Sequence, residues 1–195
     1  MGERAGSATE VVRVASGGAA EAGARGVVLR RLDGDGPDIP ALRSAVLRLR
    51  LAPGQRSFTA DATATLPRAD ADPNRTPFAV VRDGTAVGFG ILDRLGSLAA
   101  IADEPARAVM FRAFYIAPEW QGRGIGRAAC AALDPLVREA APAATEVLVT
   151  VDPTNHAAMR CYLAGGFTPT GRHHHPFDAT AHPVLRRPVA GRPAT

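Results

Sequence analysis

Hydrophobic and polar positions along the chain alternate between two periods. Val27 to Leu32 ("VVLRRL") is a short apolar run closed by the turn signal "DGDGPD", which predicts a strand. Beyond Asp38, a capping residue type, apolar positions fall at Ile39, Leu42, Val46 and Leu49. That spacing lines one face of a helix, which "APGQ" ends. A short helix is expected around Asp61 to Leu66, then the Pro- and Asp-rich loop "PRADADPNRTP". "FAVV" and "AVGFGILD" flank "RDGT", whose Asp-Gly pair marks a hairpin. A looser segment, "RLGSLAAIADEPAR", leads to the strand "AVMFRAFYI". A helix follows from about Gly124 to Glu139, then the strand "EVLVTV", a helix from Asn155 to Gly165 closed by glycines, and short strands in "FTPTGR" and "HPVLRRPV".

The order β, α, α, β, β, β, α, β, α, β, β places antiparallel neighbours first and a strand–helix–strand crossover late. It predicts an α/β (α+β) chain with a mixed, mostly antiparallel central sheet of about seven strands, flanked on both faces by about four helices. Residues 1–26, rich in Gly, Ala and Ser and without sustained period, read as a flexible leader, 27–189 as one domain and 190–195 as a flexible tail.

Composition adjusts this picture at two points. The net charge of +4 suggests a nucleic-acid partner, but all 23 basic residues are arginine, scattered among 19 acids without a basic block. That pattern points to coding bias, and no nucleic-acid partner is expected. Cys130 and Cys161 lie inside predicted helices and outside any metal-ligand spacing, so they read as reduced thiols. Without an apolar run of membrane length or a secretory h-region, no membrane partner is expected and the location is read as cytoplasmic.

The chemistry concentrates in "EWQGRGIGRAA", Glu119 to Ala129. A phosphate loop of the Gly-Lys-Ser/Thr type is excluded, because the chain has no lysine. A dinucleotide fingerprint is a competitor: Gly124, Gly126 and Ala129 fit G-x-G-x-x-G/A, and Glu146 follows about twenty residues on. That acid, however, opens its strand where the fingerprint needs it at the strand's end. The third reading is a pyrophosphate cradle of backbone amides at a helix opening.

Gln121-x-x-Gly124-x-Gly126, entered by "FYIAPEW", resembles the acetyl-CoA motif of the Gcn5-related N-acetyltransferase (GNAT) superfamily. Some thirty residues on, Asn155, Ala158, Tyr162, Gly166 and Phe167 stand at that superfamily's N-x-x-A-x-x-x-Y-x-x-x-G-F spacing. Asn155, Ala158 and Tyr162 share one helix face. The resemblance covers about Val27 to Val189 and implies an acyl-CoA N-acyltransferase fold. It implies an acetyl-CoA-dependent transfer of an acetyl group to a primary amine of a small molecule or polyamine, with acetyl-CoA as co-substrate and no metal. The amides of Gln121, Gly122, Arg123, Gly124, Ile125, Gly126 and Arg127 would hold the diphosphate. Phe114, Ile116 and Asn155 would meet the pantetheine arm. The Ile116 N–H would face the thioester oxygen and Tyr162 would protonate the leaving sulfur, which makes these two the catalytic candidates. The branch resembled is the bacterial spermine/spermidine-type acetyltransferases, and small domains of this kind allow a homodimer.

The general base is open. An amine with pKa ~10.4 costs about 4.6 kcal/mol to neutralise at pH 7. Related enzymes place a glutamate on the strand "AVMFRAFYI", where this chain has Arg112. Asp103, Glu104 and the cluster His173, His174 and His175 are the candidates elsewhere. Asp61, Asp70 and Asp72 lie in the expected acceptor segment and would suit a cationic amine. Three other readings stay open: an acyl-CoA-sensing module of the same fold without catalysis, a protein N-terminal acetyltransferase, and a nicotinamide-binding Rossmann domain resting on Gly124, Gly126 and Ala129.

Overall fold

A computed structural model describes residues 26–176 and 180–191. The leader, apart from Gly26, and most of the tail lie outside the described residues. The strands are β1 (Val27–Arg31), β2 (Arg75–Arg82), β3 (Thr85–Asp93), β4 (Ala108–Ile116), β5 (Glu146–Thr150), β6 (Thr168–His174) and β7 (His182–Pro188). They form one sheet in the order β1-β2-β3-β4-β5-β7-β6, in which only β4 and β5 run parallel. The β2–β3 hairpin closes at Asp83 and Gly84, both with positive φ (49° and 78°) as its Asp-Gly signal requires.

Helices α1 (Ile39–Arg48), α2 (Ala62–Asp70) and α3 (Leu98–Ile101) cover one face, and α4 (Ile125–Ala131), α5 (Leu133–Ala140) and α6 (His156–Ala164) the other. Strand alternation feeds the two cores. Phe78, Val80, Val109 and Phe111 pack under α4 and α5, while Ala79 and Val81 pack under α1 and α2 and Met110 under α3.

Six helices stand among the described residues where about four were expected, and local chemistry explains each difference. The helix expected from Gly124 to Glu139 breaks at Ala132, which leaves helical geometry (φ −87°, ψ 8°). Pro135 has no N–H for the Ala131 carbonyl, and its ring crowds that turn. Arg187 takes over, donating to the Ala131 carbonyl (3.4 Å) and to Asp134 (2.7 Å). The segment read as loose contains α3, because Leu98 and Ile101 are buried against Met110 and Val184. α2 runs on through Pro67 to Asp70, since Leu66 and Ala69 bury on the sheet and Asp70 pairs with Arg43. Asp38 occupies the N-cap of α1, but its carboxylate accepts from Arg30 (2.6 Å) instead of capping.

Candidate active site

The site exists because β4 breaks its own alternation. Ala113 has φ 51°, and the β3–β4 register slips between Phe89↔Tyr115 and Ile91↔Arg112, so Gly90 faces two residues. This bulge returns Phe114 to the face of Phe111, with ring centroids 4.7 Å apart. Gly90 is small of necessity: a Cβ there would lie 2.5 Å from the Phe78 ring. The parallel ladder to β5 runs only from Ala108↔Glu146 to Met110↔Leu148, and beyond it the strands part.

That parting frees backbone. The Ala117 N–H bonds the Val87 carbonyl (2.9 Å). Antiparallel alternation therefore turns the N–H and C=O of Ile116 away from β3, into the gap. The Ile116 carbonyl accepts from Gln121 Nε2 (2.7 Å), which ties the following loop to the strand end. The side-chain amide of Gln121 is thus engaged with protein, and so is its backbone N–H, which donates to the Pro118 carbonyl (3.2 Å), so the expected cradle of amides starts at Gly122 and not at Gln121.

In the loop, Gly122 and Gly124 have φ of 72° and 74° with nothing within 4 Å of a Cβ position. Their conformation suits glycine and leaves the backbone uncovered. The first amide to bond back in α4 is that of Ala128, to the Gly124 carbonyl (3.0 Å). The amides of Ile125, Gly126 and Arg127 are consequently unpaired among the described residues. Gly126 has a different task from its neighbours: a Cβ there would lie 2.7 Å from Cys161 Sγ, so this glycine brings α4 against α6. Arg123 is exposed, its guanidinium 5.2 Å from the Trp120 ring centroid, and it does not line the cleft described below.

Asn155 caps α6, its Oδ1 accepting the Ala158 N–H (3.1 Å), which leaves Nδ2 available. At the other end, Phe167 N–H bonds the Tyr162 carbonyl (3.0 Å) and Gly166 N–H that of Leu163 (3.2 Å), with Gly166 at φ 92°. This is a Schellman ending, and it explains the Gly166-Phe167 pair of the motif. Tyr162 packs among Phe111, Phe114 and Phe167, at centroid distances of 5.9, 6.3 and 5.6 Å. Burial pushes its hydroxyl well above the ordinary tyrosine value, and the thiols of Cys130 and Cys161 add to the shift. Among the described residues, no group hydrogen-bonds that hydroxyl.

These groups open on one cleft of about 1070 Å³. Phe114, Ile116, Gln121, Gly122, Gly124, Ile125, Gly126, Arg127, Asn155 and Tyr162 all line it. Residues of the opposite sheet face line it too: Arg75, Arg112, Asp152 and His182. The cleft therefore draws its walls from both sides of the sheet where β4 and β5 separate.

None of the candidate bases lines this cleft. The Asp103 side chain is 74% exposed and pairs with Arg172, and Glu104 lies near Arg107 (3.7 Å). His173 is exposed and His174 half-buried at the end of the edge strand β6, and His175 is exposed just past it. The cleft holds His182 instead, whose buried Nε2 has no hydrogen-bond partner among the described residues and stands 3.9 Å from Asp152 Oδ2. Asp152 accepts from the Thr154 N–H (2.8 Å) and hydroxyl (2.6 Å), which hold its carboxyl below the usual range. The sequence signal for His182 is thin: a lone histidine opening a strand, brought beside Asp152 only because β7 lies against β5. The acids of the expected acceptor segment are also absent from the lining: Asp61 is buried and bonded to Thr63, Asp70 pairs with Arg43, and Asp72 with Arg75.

The model of the Acetyltransferase (GNAT) family matches residues 44–167. No curated protein matches the chain. Among solved structures, AAC(6′)-Ib in complex with paromomycin and acetyl-CoA aligns with a TM-score of 0.61 at 18% identity, covering 84% of this chain and 93% of that one. The aminoglycoside acetyltransferase AAC(6′)-Ib with coenzyme A and kanamycin aligns with a TM-score of 0.57 at 19% identity, over 83% and 94%. A spermidine N-acetyltransferase chimera from Vibrio cholerae SpeG and hSSAT aligns with a TM-score of 0.52 at 18% identity, over 83% and 95%. At these identities the likeness is one of fold.

Proposed function

The chain belongs to the acetyltransferase (GNAT) family, and from that premise we propose that it moves the acetyl group of acetyl-CoA to a primary amine of a small molecule. One observation carries the reading: the unpaired amides after Gly124, the freed amide of Ile116 and the buried hydroxyl of Tyr162 all open on the same cleft. Acetyl-CoA supplies an acyl carbon on a thioester, and attack by a neutral amine breaks the C–S bond and releases the thiol.

The chain's own groups fit that task. The amides of Gly122 to Arg127 suit phosphate oxygens, as unpaired donors at a helix opening do. Nδ2 of Asn155 is a donor for the pantetheine arm. The Ile116 N–H is a fixed dipole for the oxygen that gains charge during acyl transfer. Tyr162, protonated across the working pH range, gives its proton to the sulfur. His182 receives the proton of the amine, with the Asp152 carboxylate 3.9 Å from its Nε2. The polyamine form of the acceptor loses the support of Asp61, Asp70 and Asp72, which are engaged elsewhere.

The test uses acetyl-CoA and a panel of primary amines, reading thiol release, beside thermal melts with CoA or NAD. CoA alone is expected to raise Tm, because a ligand that binds only the folded state stabilises it, and at least one amine to release thiol. Stabilisation by CoA without thiol release from any amine would leave a binding module and end the enzymatic reading. Stabilisation by NAD instead would restore the dinucleotide reading of Gly124, Gly126 and Ala129.

A further inference from the structure

Across the sheet from Tyr162, the cleft is walled by arginines. Arg75 and Asp93 are cross-strand partners on β2 and β3, and Arg112 follows on β4, one residue before the bulge. Asp93 is 1% exposed and accepts from Arg75 Nε (3.2 Å), Arg112 NH1 (2.9 Å) and the Leu95 N–H (3.0 Å). Arg75 Nε also meets Asp72 (3.1 Å). A guanidinium has five N–H donors on three nitrogens. Only one nitrogen of each arginine is engaged, and among the described residues the others have no partner. The buried carboxylate thus fixes two guanidinium groups from below while their remaining donors stay free. Arg68 of α2 lines the same cleft, exposed and without an ion-pair partner among the described residues. The one carboxylate among the described lining residues is Asp152, which stands by His182.

The geometry points to an acceptor that carries a carboxylate beside its amine, an amino acid in chemical class, with Arg112 and Arg75 as the groups that bind the carboxylate. This rests on the acetyl-transfer reading above and specifies its acceptor. Two physical arguments carry it. A planar guanidinium with free nitrogens matches a carboxylate in two-point contact, and two such groups held by one buried acid keep that geometry without further ordering. Asp93 and Asp72 offset the charges of Arg75 and Arg112, and Arg68 adds a positive charge that no acid among the described residues pairs, which disfavours spermidine-like and aminoglycoside-like polycations.

Matched acceptors test it: phenylalanine against phenethylamine, leucine against isoamylamine, with spermidine as the polycation, each with acetyl-CoA and thiol release as the readout. The amino acids are expected to lead in kcat/KM by about tenfold or more, since a site built for a polar group discriminates against its absence. Arg112→Gln should bring that ratio close to one by raising KM for the amino acid, with CoA affinity retained, and Arg112→Lys should keep part of it. Arg68→Gln alters an exposed side chain, so its fold is not at risk, and it should lower the ratio several-fold. Equal or better turnover of the decarboxylated amines or of spermidine overturns the assignment, as does an unchanged ratio in Arg112→Gln and Arg68→Gln. Thiol release from no acceptor, with CoA still bound, overturns the acetyl-transfer reading beneath it.

Discussion

Tyr162 shows how one side chain acquires its chemistry from its neighbours. An exposed phenol loses its proton near pH ~10. Here Phe111, Phe114 and Phe167 withhold water and raise that value, so the hydroxyl remains a donor wherever the protein works. Tyr162→Phe keeps the ring and removes only the hydroxyl. It is expected to lower kcat by about 10²-fold, the lower range for general acid catalysis, with CoA affinity changed by no more than a few-fold. A loss of CoA binding equal to the loss of turnover would assign Tyr162 to packing alone. Tyr162 and Asn155 were legible from their spacing on one helix. His182 was not, because a single histidine at a strand start carries no pattern, and its neighbour Asp152 is thirty residues away in the chain.

α4 and α6 lie against each other through two glycine–cysteine contacts that cross in opposite senses. Gly126 of α4 meets Cys161 of α6, and Gly165, just past α6, meets Cys130 of α4. A Cβ on Gly165 would lie 2.3 Å from the Cys130 Cβ and 3.2 Å from the Cys161 carbonyl, which are contacts that cannot give way by a side-chain rotation. Gly165→Ala is therefore expected to cost about 1–3 kcal/mol, as overpacking does. In a chain of this size that lowers Tm by roughly 2–12 °C, read in a thermal melt. The helices were legible from period and caps, and the glycines from their loop position. That Gly126 is needed for packing while Gly122 and Gly124 are needed for φ was not legible, because the difference depends on what lies opposite each.

The whole fold places two tyrosines, one on each face of the sheet, where ionisation is penalised. Tyr115, on the α1–α2 side, is raised by burial, although its oxygen accepts the Ala62 N–H (3.1 Å). Tyr162, on the other side, is raised further. For both, the folded value exceeds the unfolded one. The folded chain then keeps its protons while the unfolded chain loses them as pH rises past ~10. Stability should hold steady below that point and fall above it by about 1.4 kcal/mol per pH unit for each tyrosine. Urea unfolding at pH 8, 10 and 11 checks this, and Tyr162→Phe should flatten the decline. A decline that Tyr162→Phe leaves unaltered would place the penalty elsewhere.

Period, turn chemistry and motif spacing are local properties, and with them the chain announced its strands, most of its helices, the loop at Gly122–Arg127 and the Asn155–Tyr162 face. The break at Ala132 and the helix through Pro67 were harder, because each sets one proline against burial that distant residues supply. The rest came from strands meeting. The bulge at Ala113, the end of the β4–β5 ladder at Met110, and β7 between β5 and β6 together open the cleft, free the Ile116 amide and bring in His182 and the arginine wall. Such features depend on pairings between residues far apart in the chain, whose energy no local window contains.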